Sequence, residues 1–250
     1  MSMTDPETSP PPSIPILDES AGPDVMTQSS ADPLTEDLAL ALLQRRDLLP
    51  EALEDIGKNA IVTKSRKVRF ALASHPRAPR HLSLRLVREF YTIDLMRFAL
   101  LPSVAADIKH KADDLLVARL ASITLGERIS LARRASGTVA AALLLDKEER
   151  VWRTALDNPR LSEAAVVKTV LRTNSNAAFV EVVCHHSRWS LRPEIRMALL
   201  RNEKTPLARA LEFAGALPLA QLRDILHSSR LPEKTKMCLL EESKTRTKTG

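Results

Sequence analysis

Apolar residues recur along most of the chain at three- and four-residue spacing, as in Leu82, Leu86, Val87 and Phe90. That period matches one face of an α-helix rather than the strict alternation of a half-buried strand. Helix starts are marked by proline at Pro50, Pro79, Pro193, Pro206, Pro218 and Pro232. Proline costs little at a first helical position, because its missing N–H would have had no intrahelical partner. Thr205, Ser103 and Ser162 stand where N-caps are expected. The pattern predicts helices of roughly 8–14 residues joined by short links, with no room for crossover strands.

One short phrase returns several times. Val68-Arg69-Phe70-Ala71-Leu72 is echoed by Met96-Arg97-Phe98-Ala99-Leu100, Trp152-Arg153-Thr154-Ala155-Leu156 and Ile195-Arg196-Met197-Ala198-Leu199. A weaker copy is Glu127-Arg128-Ile129-Ser130-Leu131. The marker arginines lie 28, 31, 25 and 43 residues apart, and the widest gap predicts a degenerate unit around residues 179–183. A break and restart follow the phrase, as in Ser74-His75-Pro76-Arg77-Ala78-Pro79, Asp157-Asn158-Pro159-Arg160-Leu161-Ser162 and Arg201-Asn202-Glu203-Lys204-Thr205-Pro206. Helix, corner, helix is a unit too short to bury its own apolar face, so such units must stack on their neighbours.

This x-Arg-x-Ala-Leu…Asn-Pro-x-x-Ser/Thr-Pro cadence resembles the HEAT-like and leucine-rich-repeat-variant α-solenoids of bacteria, over roughly residues 65–240. The resemblance implies an all-α fold of stacked short helix pairs wound into a right-handed superhelix. Some leucine-rich-repeat-variant proteins carry an N-terminal cysteine cluster for an iron–sulfur centre. This chain has no cysteine before Cys184, so the resemblance implies no cofactor.

Charge divides the chain. Residues 1–37 hold eight acids and no Lys or Arg, whereas the rest carries 37 basic and 23 acidic residues. Residues 1–33 also hold seven of the 16 prolines, a composition that cannot bury enough apolar area to offset chain entropy and so predicts a disordered acidic tail. That tail is expected either to be a linker or to compete for the basic body. The domain boundaries expected are 1–33 disordered, 34–243 helical repeat, and 244–250 a frayed basic tail. Cys184 and Cys238 form no CxxC pair, which fits a reducing compartment. The N-terminus shows neither a basic start nor an apolar stretch, so the expected location is cytoplasmic. The longest aliphatic run, residues 139–145, is far short of a bilayer span, so no membrane partner is expected.

Candidate chemistry concentrates in arginine. In stacked repeats Arg69, Arg97, Arg128, Arg153 and Arg196 would align as a column. They would either bond carboxylates and helix-end carbonyls of adjacent units or form an anion-binding stripe. Arg66, Arg77, Arg80, Arg133, Arg134, Arg188 and Arg192 would extend that stripe. The expected function is a non-enzymatic scaffold that binds a macromolecule, a protein first, through a concave basic face; the alternative is duplex nucleic acid held by its backbone. Only 3% of residues are aromatic, too few for single-strand stacking platforms. A further alternative follows from resemblance to the HEAT-like alkylpurine DNA glycosylases, for which Trp152, Asp157 and Trp189 fit in composition. Trp152, however, occupies the core-like position of Val68 and Ile195. Cys184-His185-His186 suggests a metal site only superficially, because adjacent helical residues face different ways. No triad, nucleophile elbow, phosphate loop or paired-carboxylate motif is present, so no catalytic, cofactor or metal residues are expected.

Overall fold

The computed structural model describes residues 34–249, which are helical throughout and joined by turns. In chain order the helices are α1 (Glu36–Leu43), α2 (Pro50–Lys58), α3 (Arg66–Ser74), α4 (Arg80–Val87), α5 (Thr92–Ala99) and α6 (Ala106–Arg119). They continue as α7 (Leu125–Arg134), α8 (Gly137–Leu143), α9 (Glu149–Leu156), α10 (Glu163–Val170) and α11 (Ala177–His185). The last four are α12 (Pro193–Leu200), α13 (Leu207–Gly215), α14 (Leu219–His227) and α15 (Glu233–Thr249). A single 3₁₀ turn, Val62–Lys64, precedes α3. Among the described residues there is no strand, so the protein is all-α. The expectations for residues 1–33 lie outside the described residues.

Local chemistry accounts for most helix starts. Pro50 and Pro193 occupy the first helical turn of α2 and α12, while Pro79, Pro206 and Pro218 sit one residue earlier, as the N-caps of α4, α13 and α14. Ser162 caps α10 by accepting from Ala165 N–H at 3.3 Å. Thr124 and Glu127 close a reciprocal capping box on α7; those bonds to Thr124 hold the Glu127 carboxyl below the usual range. Two expected caps do something else. Thr205 Oγ1 donates to Leu199 O at 2.6 Å, and Ser103 Oγ donates to Ser74 O at 3.3 Å. Both hydroxyls satisfy carbonyls left over at a preceding helix end.

Helix contacts follow a simple rule: every helix pair in substantial contact is one or two apart in chain order. The series α1–α3–α5–α7–α9–α11 is linked pairwise, as are α4–α6–α8 and α10–α12–α14. Buried side chains from all three series make up the core. Phe70, Phe90 and Phe98 pack together, with Phe90–Phe98 centroids 5.4 Å apart and edge-on. Further along, Trp152 of α9 meets Phe179 of α11 edge-on at 5.5 Å, a geometry worth about 0.5–1.5 kcal/mol beyond the area buried. The region expected to hold a degenerate unit, residues 179–183, is the middle of α11, with Phe179, Val180 and Val183 buried.

The repeated phrase changes series along the chain. Its first four copies lie on α3, α5, α7 and α9, but Ile195–Leu199 lies on α12, which contacts α10 and α14. The 43-residue gap therefore contains two intervening helices, α10 and α11, and shifts the phrase by one helix.

Candidate macromolecule-binding surface

Four of the breaks between helices carry a recurring device. Just past the end of α3, α9, α11 and α12 stand His75, Asn158, His186 and Asn202. Each accepts, on Nδ1 or Oδ1, the backbone N–H of the residue two positions on: Arg77 at 3.2 Å, Arg160 at 2.8 Å, Arg188 at 3.2 Å and Lys204 at 2.8 Å. This is an Asx-type turn, with imidazole standing in twice. The other side of each polar group reaches back across the stack. Asn158 Nδ2 donates to Ala132 O at 2.8 Å and Ala135 O at 3.2 Å. Asn202 Nδ2 donates to Val170 O at 2.5 Å and Ser175 Oγ at 2.9 Å. His75 Nε2–H donates to Arg45 O at 2.8 Å, and His186 Nε2–H donates to Asp157 Oδ1 at 3.2 Å; acceptance at Nδ1 fixes both tautomers.

The cation two positions on completes the clasp. Arg77 Nη1 donates to Asp47 O at 3.1 Å, Arg160 Nη1 to Arg134 O at 3.3 Å, and Lys204 Nζ to Ser175 O at 2.6 Å. Arg188 donates to both Asn158 O and Leu161 O while its guanidinium lies 4.0 Å from the Trp189 ring centroid. The bonds of these clasps span 23 to 32 residues, from Asn158–Ala135 to Asn202–Val170. Asn158 and Asn202 are each only 1% exposed.

The five marker arginines meet different partners. Arg69 pairs with Glu89 at 3.0 Å, Arg128 with Asp146 at 3.4 Å, and Arg153 with Glu149 at 2.6 Å. Arg196 Nε donates to Ser190 O at 2.6 Å and its guanidinium stands 5.5 Å from the Phe213 ring. Arg97 lies 5.7 Å over the Phe70 ring and has no carboxylate partner among the described residues. Arg69, Arg97, Arg128 and Arg153 share the α3–α9 series; Arg196, on α12, does not.

Of the other candidates, Arg66 makes a two-point bond to the buried Asp94 and covers the Tyr91 ring at 5.2 Å. Arg80 Nε bonds Asp107 at 2.5 Å and holds that carboxyl below the usual range. Arg133, Arg134 and Arg192 are exposed. An exposed pair such as Arg80–Asp107 is screened by water, so it orients side chains more than it stabilises the fold.

Two open grooves lie between alternate helices. One, of about 450 Å³, is lined by Arg66, Lys67, Phe70, Asp94 and Arg97 of α3 and α5. The other, of about 400 Å³, involves Arg153, Glu181, His185 and His186 of α9 and α11. Trp152 and Trp189 are each 1% exposed, so neither presents its ring to a bound strand, and Asp157 is taken up by His186. Cys184 is buried, and burial pushes its thiol up to about 12, while His185 bonds Glu181 O at 2.9 Å; the three adjacent residues diverge. Among the described residues no three His, Cys, Asp or Glu side chains gather as a metal site. No helix there is long and apolar enough to cross a membrane. No protein-family model, no curated protein and no solved structure matches the chain.

Asp113 of α6 is a charged group that the sequence did not mark. It is 5% exposed and its Oδ1 has no partner. Burial pushes its carboxyl up, with Ser136 and His110 opposing. A folded-state value above the unfolded one means the native state holds the proton more tightly. Stability is then lost as pH rises from about 3.9 through the folded value. Asp113→Asn should therefore melt higher than the wild type at pH 7 and equally at pH 3. A variant that melts no higher at pH 7 would show that water reaches the carboxylate.

Proposed function

We propose that the chain is a non-enzymatic, HEAT-like α-solenoid scaffold that binds another protein through its basic side. Contacts confined to helices one and two apart support a solenoid, since stacked repeats touch only their neighbours. The carrying observation is the groove between α3 and α5. Its single carboxylate, Asp94, is already engaged by Arg66, so Lys67 and Arg97 face solvent beside the half-buried Phe70 ring. An acidic segment with an apolar anchor suits that surface, its carboxylates on the cations and its anchor on Phe70.

The test uses the full chain, a fluorescent acidic peptide with one aromatic residue, and a mixed-sequence DNA duplex. Charge reversal by Lys67→Glu with Arg97→Glu should weaken peptide binding at least about tenfold, as loss of two charge-assisted contacts would. Arg133→Glu, on α7, should change it little. Duplex binding with a log–log salt slope near −4 to −5, the signature of about five phosphate contacts, together with no peptide binding, would replace this reading with the nucleic-acid one.

A further inference from the structure

The groove of α3 and α5 has a second ring at its rim. Of the eight aromatic side chains, six are buried, Phe70 is half-buried and Tyr91 stands 62% exposed. Tyr91 is the N-cap of α5 and directly follows Phe90, whose ring stacks on Phe70 at 5.7 Å. Leaving a tyrosine in water forgoes the apolar area it could have buried, so the fold itself gains little from this ring.

The ring is nevertheless held. Asp94, 4% exposed, accepts from Arg66 Nη2 at 2.9 Å and also from Arg66 Nε. The guanidinium so fixed lies 5.2 Å from the Tyr91 ring centroid. Arg66 also lines the groove, together with Lys67, Phe70 and Arg97. One guanidinium therefore joins the groove to the ring beyond it. Within the groove Arg97 stands over Phe70 at 5.7 Å, so each ring carries its own cation. A partner loses little by docking on such a pair. A tyrosine has two χ angles to fix, and a guanidinium held by two bonds is ordered before the partner arrives. Tyrosine and arginine dominate binding hot spots for that reason. Charge then selects the partner: three cations line the groove against one carboxylate, and that carboxylate is already engaged.

We infer that Tyr91 is a second anchor point, and that the partner is an acidic segment with two apolar side chains. One, an aromatic, lies on the Tyr91–Arg66 pair, and the other lies on Phe70. This role presupposes the scaffold reading of the same groove and adds to it the second anchor and its chemistry. Arg66 and Phe70 are four residues apart on α3, a rise of about 6 Å, and Tyr91 sits at the Arg66 end. In an extended segment, residues two positions apart span about 7 Å and point the same way, as do residues four apart.

Fluorescent acidic peptides of equal charge, titrated onto the full chain, test the second anchor. One carries a single aromatic residue; the others carry a second aromatic two or four positions on. At one of these spacings the second ring should tighten binding to the wild type at least about fivefold, as an added aromatic pair would. Tyr91 is exposed, so Tyr91→Ala should fold as the wild type does, and in it the gain should fall below about twofold. Tyr91→Phe keeps the ring and should keep the gain. No gain at either spacing, or an equal gain in Tyr91→Ala, would overturn the anchor. The groove reading would survive that result if the single-ring peptide still bound and Lys67→Glu with Arg97→Glu still weakened it. Binding of none of the peptides would overturn both.

Discussion

Asn158→Asp should destabilise the protein by about 3–5 kcal/mol at neutral pH, the range for leaving a buried charge uncompensated. The side chain is 1% exposed and its Nδ2 donates to two carbonyls, Ala132 O and Ala135 O. A carboxylate of the same shape offers only lone pairs to those oxygens, so two acceptors lose their donors and a charge is left facing them. Asn158→Ala removes the same bonds without adding charge and should cost less, about 1–3 kcal/mol. The two variants separate with pH. Burial and the facing carbonyls raise the introduced carboxyl's folded-state pKa above its unfolded value of about 3.9, so the native state prefers it protonated. The penalty is thus fully present above the folded value and falls away as pH drops toward the unfolded one. A protonated carboxyl can also donate to Ala132 O. Urea unfolding at pH 7.5 and pH 5, each variant referred to wild type at the same pH, should show Asn158→Asp recovering and Asn158→Ala not. Equal penalties at both pH values would mean that the asparagine does not hold the corner.

That corner shows how far the sequence could be read. The phrase apolar-Arg-x-Ala-Leu is legible because each stacked unit needs large and small side chains at the same places on its helix. Val68, Trp152 and Ile195, which open three copies of the phrase, are all buried. The polar pair after the helix was equally legible as a corner. Its partners were not, because they are backbone carbonyls 23 to 32 residues upstream and any residue carries a carbonyl. Thr205 and Ser103 illustrate the same limit. Their hydroxyls look like N-caps locally, but the unpaired carbonyls of Leu199 and Ser74 claim them.

The arginine column is a partial case. Its spacing suggests one aligned ladder, yet the 43-residue gap holds two further helices and sets Arg196 on α12, outside the series of the other four. Partner choice is likewise invisible from spacing. Arg128 faces Asp146, 18 residues on, while Arg153 turns to Glu149 in its own helix, since each corner brings a different group within reach. Phe70 and Phe98 hold the same place in the phrase, yet Phe70 is half-buried and lines the groove beside Arg97, whereas Phe98 is fully buried. The unpartnered Trp152 N–H has no sequence signal. An indole is placed by the area it buries, and whether its N–H finds an acceptor depends on neighbours two helices away.

Gly137→Ala should destabilise the protein by about 1–3 kcal/mol, the range for a methyl group forced into a filled space, although propensity alone argues the other way. Alanine exceeds glycine by up to about 1 kcal/mol in a helix, and Gly137 is the first residue of α8. The difference is what a Cβ would meet. At Gly137 it would overlap the carbonyl oxygen of Arg160, a backbone atom of the next corner. That carbonyl cannot simply withdraw, because Arg160 N–H is held by Asn158 Oδ1 at 2.8 Å and the Arg160 guanidinium by Arg134 O at 3.3 Å. At Gly126, near the start of α7, a Cβ would meet nothing within 4 Å, so Gly126→Ala should be neutral or stabilise by up to about 1 kcal/mol. Opposite signs in two glycines at helix starts would place the cost in the contact between corners and not in the helix. Because Asn158 is what holds Arg160 in place, the double variant Gly137→Ala with Asn158→Ala should lose less stability than the two single losses added, by about 0.5 kcal/mol or more. Denaturant unfolding of the four species measures that coupling. Strict additivity would mean that the Arg160 carbonyl is fixed by something other than the clasp.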